Sequence, residues 1–114
     1  MRTTVSRRPV LISVVQYDEQ RTSRAFDVAA AIHAAKRLSA DGIELRGVYW
    51  TNKQQQIPEA RDLIPALGLL VTYATQVTLF SIDRQVTPEL RQDIEDARAL
   101  GAPLLRVFQG PAPA

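Results

Sequence analysis

The chain has 114 residues, 46% apolar and 23% charged, which suits one domain with a core, is too short for two, and argues against wholesale disorder. Its formal net charge is +2, and Arg2, Arg7 and Arg8 of "MRTTVSRR" supply much of the excess; a nucleic-acid binder carries a denser basic face, so that partner is not expected. The absence of cysteine excludes disulfides, thiolate chemistry and Cys-held zinc, and fits a reduced, cytoplasmic setting.

Residues 1–8 are expected to form a flexible basic arm, frayed from the domain. The apolar "PVLISVV" that follows is short for a signal peptide, lacks a small-residue cleavage site and runs straight into "QYDEQR". It reads as a first, buried strand rich in β-branched residues. The longest apolar runs fall far short of the ~20 residues that span a bilayer, so no membrane partner is expected.

Thr22 or Ser23 is placed to cap a helix through "RAFDVAAAIHAAKRLSA", with Ala25, Val28, Ala29, Ile32 and Ala35 as its apolar stripe and Asp41-Gly42 as its stop. "GIELRGV" is the second strand. Pro58 is expected at the first position of a second helix, where Ala60, Leu63, Ile64 and Leu67 share a face, and Pro65 predicts that this helix is short or kinked. Gly68 releases "LLVTYA", the third strand. Thr87 and Pro88 open a third helix that turns Leu90, Ile94 and Ala97 inward and ends before Gly101. "PLLRVF" is the fourth strand, and residues 111–114 belong to a tail.

The order β-α-β-α-β-α-β implies an α/β fold with a parallel, four-stranded sheet and right-handed crossovers. In "ADGIELRGVYW" the strand period of two sends Ile43 and Leu45 to the helix layer, and Glu44 and Arg46 to the other face. Arg106 alternates with Leu105 and Val107 in the fourth strand and joins them there. A doubly wound sheet would bury all three charges under further helices, whereas a barrel points that face into its interior and opens its active-site mouth at the strand C-termini. Charges near strand C-termini therefore favour a barrel-type architecture. Dinucleotide, P-loop, zincin and nucleophile-elbow motifs are absent from the sequence.

Four segments, "AAKRLSADGIELRG", "LIPALGLLVTYAT", "VTLFSIDRQVTPEL" and "DARALGAPLLRVFQG", resemble in order and spacing the N-terminal half of the sugar phosphate isomerase/epimerase family, the xylose-isomerase-like TIM barrels. The resemblance covers roughly Pro9 to Gly110 and implies a partial (half) TIM barrel over residues 9–110, since a complete barrel takes ~250 residues. It implies a family that moves a proton beside a sugar carbonyl, in carbohydrate metabolism, on a sugar or sugar phosphate. In complete members a divalent metal (Mn, Mg or Zn) is held by Glu, Asp and His from later strands. This chain has one histidine, His33, so no metal ligand is assigned and catalytic residues stay unassigned. A fragment, a truncated product and a partner of another chain all fit, and the chain alone is expected to be inactive as an isomerase.

On the resemblance, Glu44, Arg46, Trp50, Tyr73 and Arg106 are the substrate-binding candidates. Arg46 and Arg106 suit a phosphate or carboxylate, and Glu44 a sugar hydroxyl; the competing role for all three is an internal ion-pair network. Trp50, after Tyr49, offers a sugar ring an aromatic face or plugs the barrel end, and Tyr73 either joins it or packs in the core. Ser13 and Gln16 are expected to point inward without chemistry, His33 to be a solvated helix residue, and Asp18, Glu19, Asp83 and Asp93 to be solvating charges. The rival function is a noncatalytic α/β interaction module that self-associates as a homodimer or pairs with a complementary half-barrel, because four parallel strands leave two edges and one face open.

Overall fold

The computed structural model describes residues 7–22, 26–80, 83 and 85–108. The expectations placed on Arg2, Ser23, Ala25 and the 109–114 tail fall outside them. Strands β1 (Leu11–Ser13), β2 (Gly42–Arg46), β3 (Leu70–Thr78) and β4 (Leu105–Phe108) form an open, all-parallel sheet in chain order. Helices α1 (Asp18–Thr22), α2 (Val28–Arg37), α3 (Lys53–Ala66) and α4 (Glu89–Leu100) connect them.

Strand order without a reversal has a consequence for the layers. Right-handed crossovers between successive neighbours put every helix on the same side of the sheet. Burial shows this arrangement for α2, α3 and α4, while α1 buries no residue. Val14, Ile43, Leu45 and Tyr73 form one core with Val28, Ile32 and Ala35 of α2, Ile57, Ala60 and Ile64 of α3, and Ala97 and Leu100 of α4. Burying each large aliphatic side chain contributes about 1.5–3 kcal/mol. On the other side Leu70, Leu104 and Phe108 remain exposed.

Several local expectations shift. Asp27, not Thr22, caps α2, its carboxylate accepting from the Ala29 amide at 3.0 Å; Thr22 instead ends the short α1. Pro58 does not start α3, which begins at Lys53 and runs through both Pro58 and Pro65. Both prolines are exposed, as are Gln54 and Arg61 one turn earlier, so water can take the carbonyls that the missing N–H groups leave free. In α4 the buried residues are Leu90, Asp96, Ala97 and Leu100, while Ile94 faces solvent. Gly101 closes that helix with a left-handed backbone (φ 84°), as the sequence signalled.

Gly42 is not a turn residue. It is the first residue of β2, and a Cβ there would lie 2.3 Å from the Leu70 carbonyl oxygen. The absent side chain lets β2 and β3 approach. The arm is also tied at its end: Arg7 donates twice to Asp41 at 2.6 and 2.8 Å, and the Val10 amide donates to the same carboxylate at 2.7 Å.

Candidate functional site

The strand registers bring the charged residues into adjacent rows. Ser13 stands beside Glu44, and Glu44 beside Thr72. One step on, Arg46 pairs with Ala74, and Ala74 with Arg106. Alternation therefore places Glu44, Arg46 and Arg106 on the face without helices, as read from the sequence. Arg46 ends β2, whereas Glu44 lies mid-strand and Arg106 is the second residue of β4, so of the three only Arg46 stands at a strand C-terminus. Ala74, between the two arginines, has almost no exposed surface. A small residue in that row leaves room for two long side chains to lie over it.

Glu44 Oε1 is the hub. It accepts from the Arg106 guanidinium at 2.7 Å, lies 3.4 Å from the Ser13 hydroxyl and 3.8 Å from Arg46 Nε. The side chains of Glu44 and Arg46 retain 17% and 13% of their exposure, against 50% for Arg106. Hydrogen bonding to Glu44, and then its charge, pushes the Arg106 guanidinium above its ordinary value. Arg46 is less well served, because its Nε is buried and has no hydrogen-bond partner. The face thus combines two cations with one anion and keeps one donor in hand. Gln16, expected to point inward, sits exposed in the tight turn after β1.

Trp50 and Tyr73 do not join this group. Tyr73 pairs with Leu45 and Leu105 in the helix-facing rows and is wholly buried. Trp50 stacks on it with centroids 6.4 Å apart, and its indole Nε1 donates to the Tyr73 hydroxyl at 2.8 Å. Both aromatics therefore belong to the core side, opposite the triad, because residue 73 differs from 72 and 74 in the parity of the strand. Burial drives the Tyr73 hydroxyl far above its ordinary range.

A polar layer beside Tyr73 went unread in the sequence. Thr75, fully buried, donates to Asp93. Asp96, also buried, accepts from Lys53 at 2.8 Å and from Gln92 at 2.9 Å. Asp93 is thus a partly buried partner, not a solvating charge. Its signal was the spacing Leu90, Asp93, Ala97, Leu100, which repeats every three or four residues on one helix face. Asp18 is likewise engaged, by Arg21 at 2.8 Å and by the Tyr49 hydroxyl at 3.0 Å, with Arg21 over the Tyr49 ring. His33 is exposed on α2.

The divalent metal that the resemblance attaches to complete barrels finds no matching donors here. No cluster of three or more His, Cys, Asp or Glu suited to a metal ion occurs among the described residues. Glu44 offers one carboxylate flanked by two guanidinium groups, which repel a cation.

Two concavities lie at the N-terminal ends of the strands. One, of about 560 Å³, is lined by Arg7, Lys36, Ser39 and Asp41; the other, about 540 Å³, is mostly apolar and reaches the triad's face through Leu11, Leu70, Thr72 and Leu104. The triad itself stands on an open surface. No helix among the described residues is long and apolar enough to cross a membrane. No protein-family model matches this sequence, and no curated protein matches it.

Proposed function

We propose that this chain is a half-barrel of the sugar phosphate isomerase/epimerase type, and that its open face supplies the anion-binding wall of a sugar-phosphate site. The singly wound order of the strands supports the half-barrel, since a barrel is this same arrangement carried around until it closes. The observation that carries the site is the Arg46–Glu44–Arg106 group: a net positive cluster on the helix-free face, with the Arg46 Nε buried and without a hydrogen bond.

In this reading Arg46 and Arg106 hold the phosphate, whose oxygens suit the planar guanidinium fork. Glu44 fixes the two arginines and accepts from a sugar hydroxyl. Proton transfer beside a carbonyl needs a base, an acid and stabilisation of the enediolate charge. This face provides a single carboxylate already engaged by arginine, so the chain contributes binding and not turnover.

The test is calorimetric titration with a ketose phosphate and with the same ketose lacking phosphate. The phosphorylated sugar should bind and the neutral one should not, and Arg106→Ala should weaken binding about tenfold or more, the scale of a lost charge-assisted hydrogen bond. Equal binding of both sugars, or none of either at millimolar concentration, would remove the proposal.

A further inference from the structure

Among the described residues, β1 pairs with β2 and β4 with β3, and neither outer strand has a second neighbour in the sheet. Such edges present rows of N–H and C=O groups to any chain that fits them. On the face between them Leu70, Leu104 and Phe108 are 52%, 61% and 45% exposed. Parallel sheets occur almost only with both faces covered. Edges and face therefore call for the same occupant.

We infer that two copies of this chain close face to face about a two-fold axis running along the strands, so that β4 of each pairs with β1 of the other. An axis in that direction keeps every strand parallel, so both new ladders have the hydrogen-bonding pattern of those already present. It also satisfies four open edges at once. A helix or loop from an unrelated partner would cover the face and leave the edges bare. The count supports closure as well: two four-stranded sheets make a ring of eight strands, the size whose interior side chains just fill. Leu11, Leu70, Leu104 and Phe108 then become interior residues. The sheet and its exposed face alone carry this inference, and its tests use no sugar phosphate.

The first experiment measures the mass of the 114-residue chain by sedimentation over a range of concentrations. Twice the chain mass of 12.7 kDa is expected, and a monomer at all concentrations, or a larger assembly, overturns the inference. Leu104→Glu, at an exposed position, should raise the dimer dissociation constant about tenfold or more with an unchanged circular dichroism spectrum. Leu38→Glu, equally exposed but just past α2, should leave it unchanged; the reverse result places the contact elsewhere and refutes the ring.

The second experiment uses the lack of cysteine. Leu11→Cys is combined in turn with Leu104→Cys, Arg106→Cys and Phe108→Cys. Within one copy β1 and β4 are three strand spacings apart, about 14 Å, beyond disulfide reach. Oxidation of at least one pair should give a covalent dimer. Failure of all three overturns the pairing of β4 with β1.

Discussion

Removing the Glu44 carboxylate tests how firmly the triad belongs to the fold. Two ion pairs are lost in Glu44→Ala, together with the long hydrogen bond from Ser13 at 3.4 Å. The arm to Arg106 is short, 2.7 Å, but that arginine is half exposed, so it behaves as a surface bridge contributing about 0.2–1 kcal/mol. The arm to Arg46 is longer, 3.8 Å, yet Arg46 keeps only 13% of its exposure and its Nε already lacks a partner. Leaving that guanidinium without its counter-charge costs about 1–3 kcal/mol. Together they predict a loss of about 2 kcal/mol. Urea unfolding is the assay: with a slope of about 1–3 kcal/mol per molar for a small domain, the midpoint should fall by about 1 M. Arg46→Met should cost less, and the double variant should cost less than the sum, because removing both partners strands neither charge. A loss under about 0.5 kcal/mol for Glu44→Ala, the size of an ordinary surface change, would refute this reasoning and make the triad a solvent-screened contact.

Three further outcomes are expected. Gly42→Ala should destabilise by about 1–3 kcal/mol, measured by thermal unfolding, because its Cβ meets the Leu70 carbonyl at 2.3 Å; Gly101→Ala, with open space but φ 84°, should cost about 1 kcal/mol through backbone strain alone. Tyr73→Phe should shift the emission of Trp50, the sole tryptophan, and cost about 1 kcal/mol by orphaning its indole N–H, while leaving sugar-phosphate titration unchanged. Hydrogen bonds from Arg7 and then from Val10 hold the Asp41 carboxyl below its ordinary 3.8. A depressed carboxyl contributes stability that is whole above that ordinary value and drains as pH falls through the lowered one. Asp41→Asn should therefore be less stable than the parent at about pH 6, and the gap should narrow as pH falls below the ordinary carboxyl value in denaturant titrations.

The triad was legible because a strand has an exact period of two. Once Ile43 and Leu45 were assigned to the core, Glu44 and Arg46 had to oppose them, and the spacing of Leu105 and Val107 did the same for Arg106. The same rule read backwards places Tyr73 correctly: it shares parity with Val71 and Thr75, and grouping it with the triad weighed its nearness to a strand end above its parity. Helix faces were harder. The period of 3.6 tolerates neighbouring choices, so α4 accepts either Ile94 or Asp93 beside Leu90 and Ala97. Hydrophobicity alone selects Ile94; the structure selects Asp93 because Thr75, on β3, supplies a partner that no local pattern reveals. Helix starts slipped for a similar reason. Asn52 is a favoured cap residue with Gln55 three positions on, a start signal that the more conspicuous Pro58 overshadows, and a proline on the exposed face of a helix is tolerated where its neighbours' carbonyls reach water.

Charge ties the two proposals to each other. Each copy presents two arginines and one glutamate on the face it would bring to the ring, so two copies enclose an excess of two positive charges. In a shared interior of lowered dielectric those charges oppose association. A phosphate dianion placed between them removes the opposition, so anion binding and pairing should reinforce each other. Linkage makes the effect reciprocal: whatever factor phosphate adds to the dimer, dimerisation adds to the affinity for phosphate. Arg106→Ala takes one positive charge from each copy. It should tighten the pairing in the absence of phosphate and abolish the response to it, an outcome that neither a purely apolar contact nor a monomeric anion site would produce.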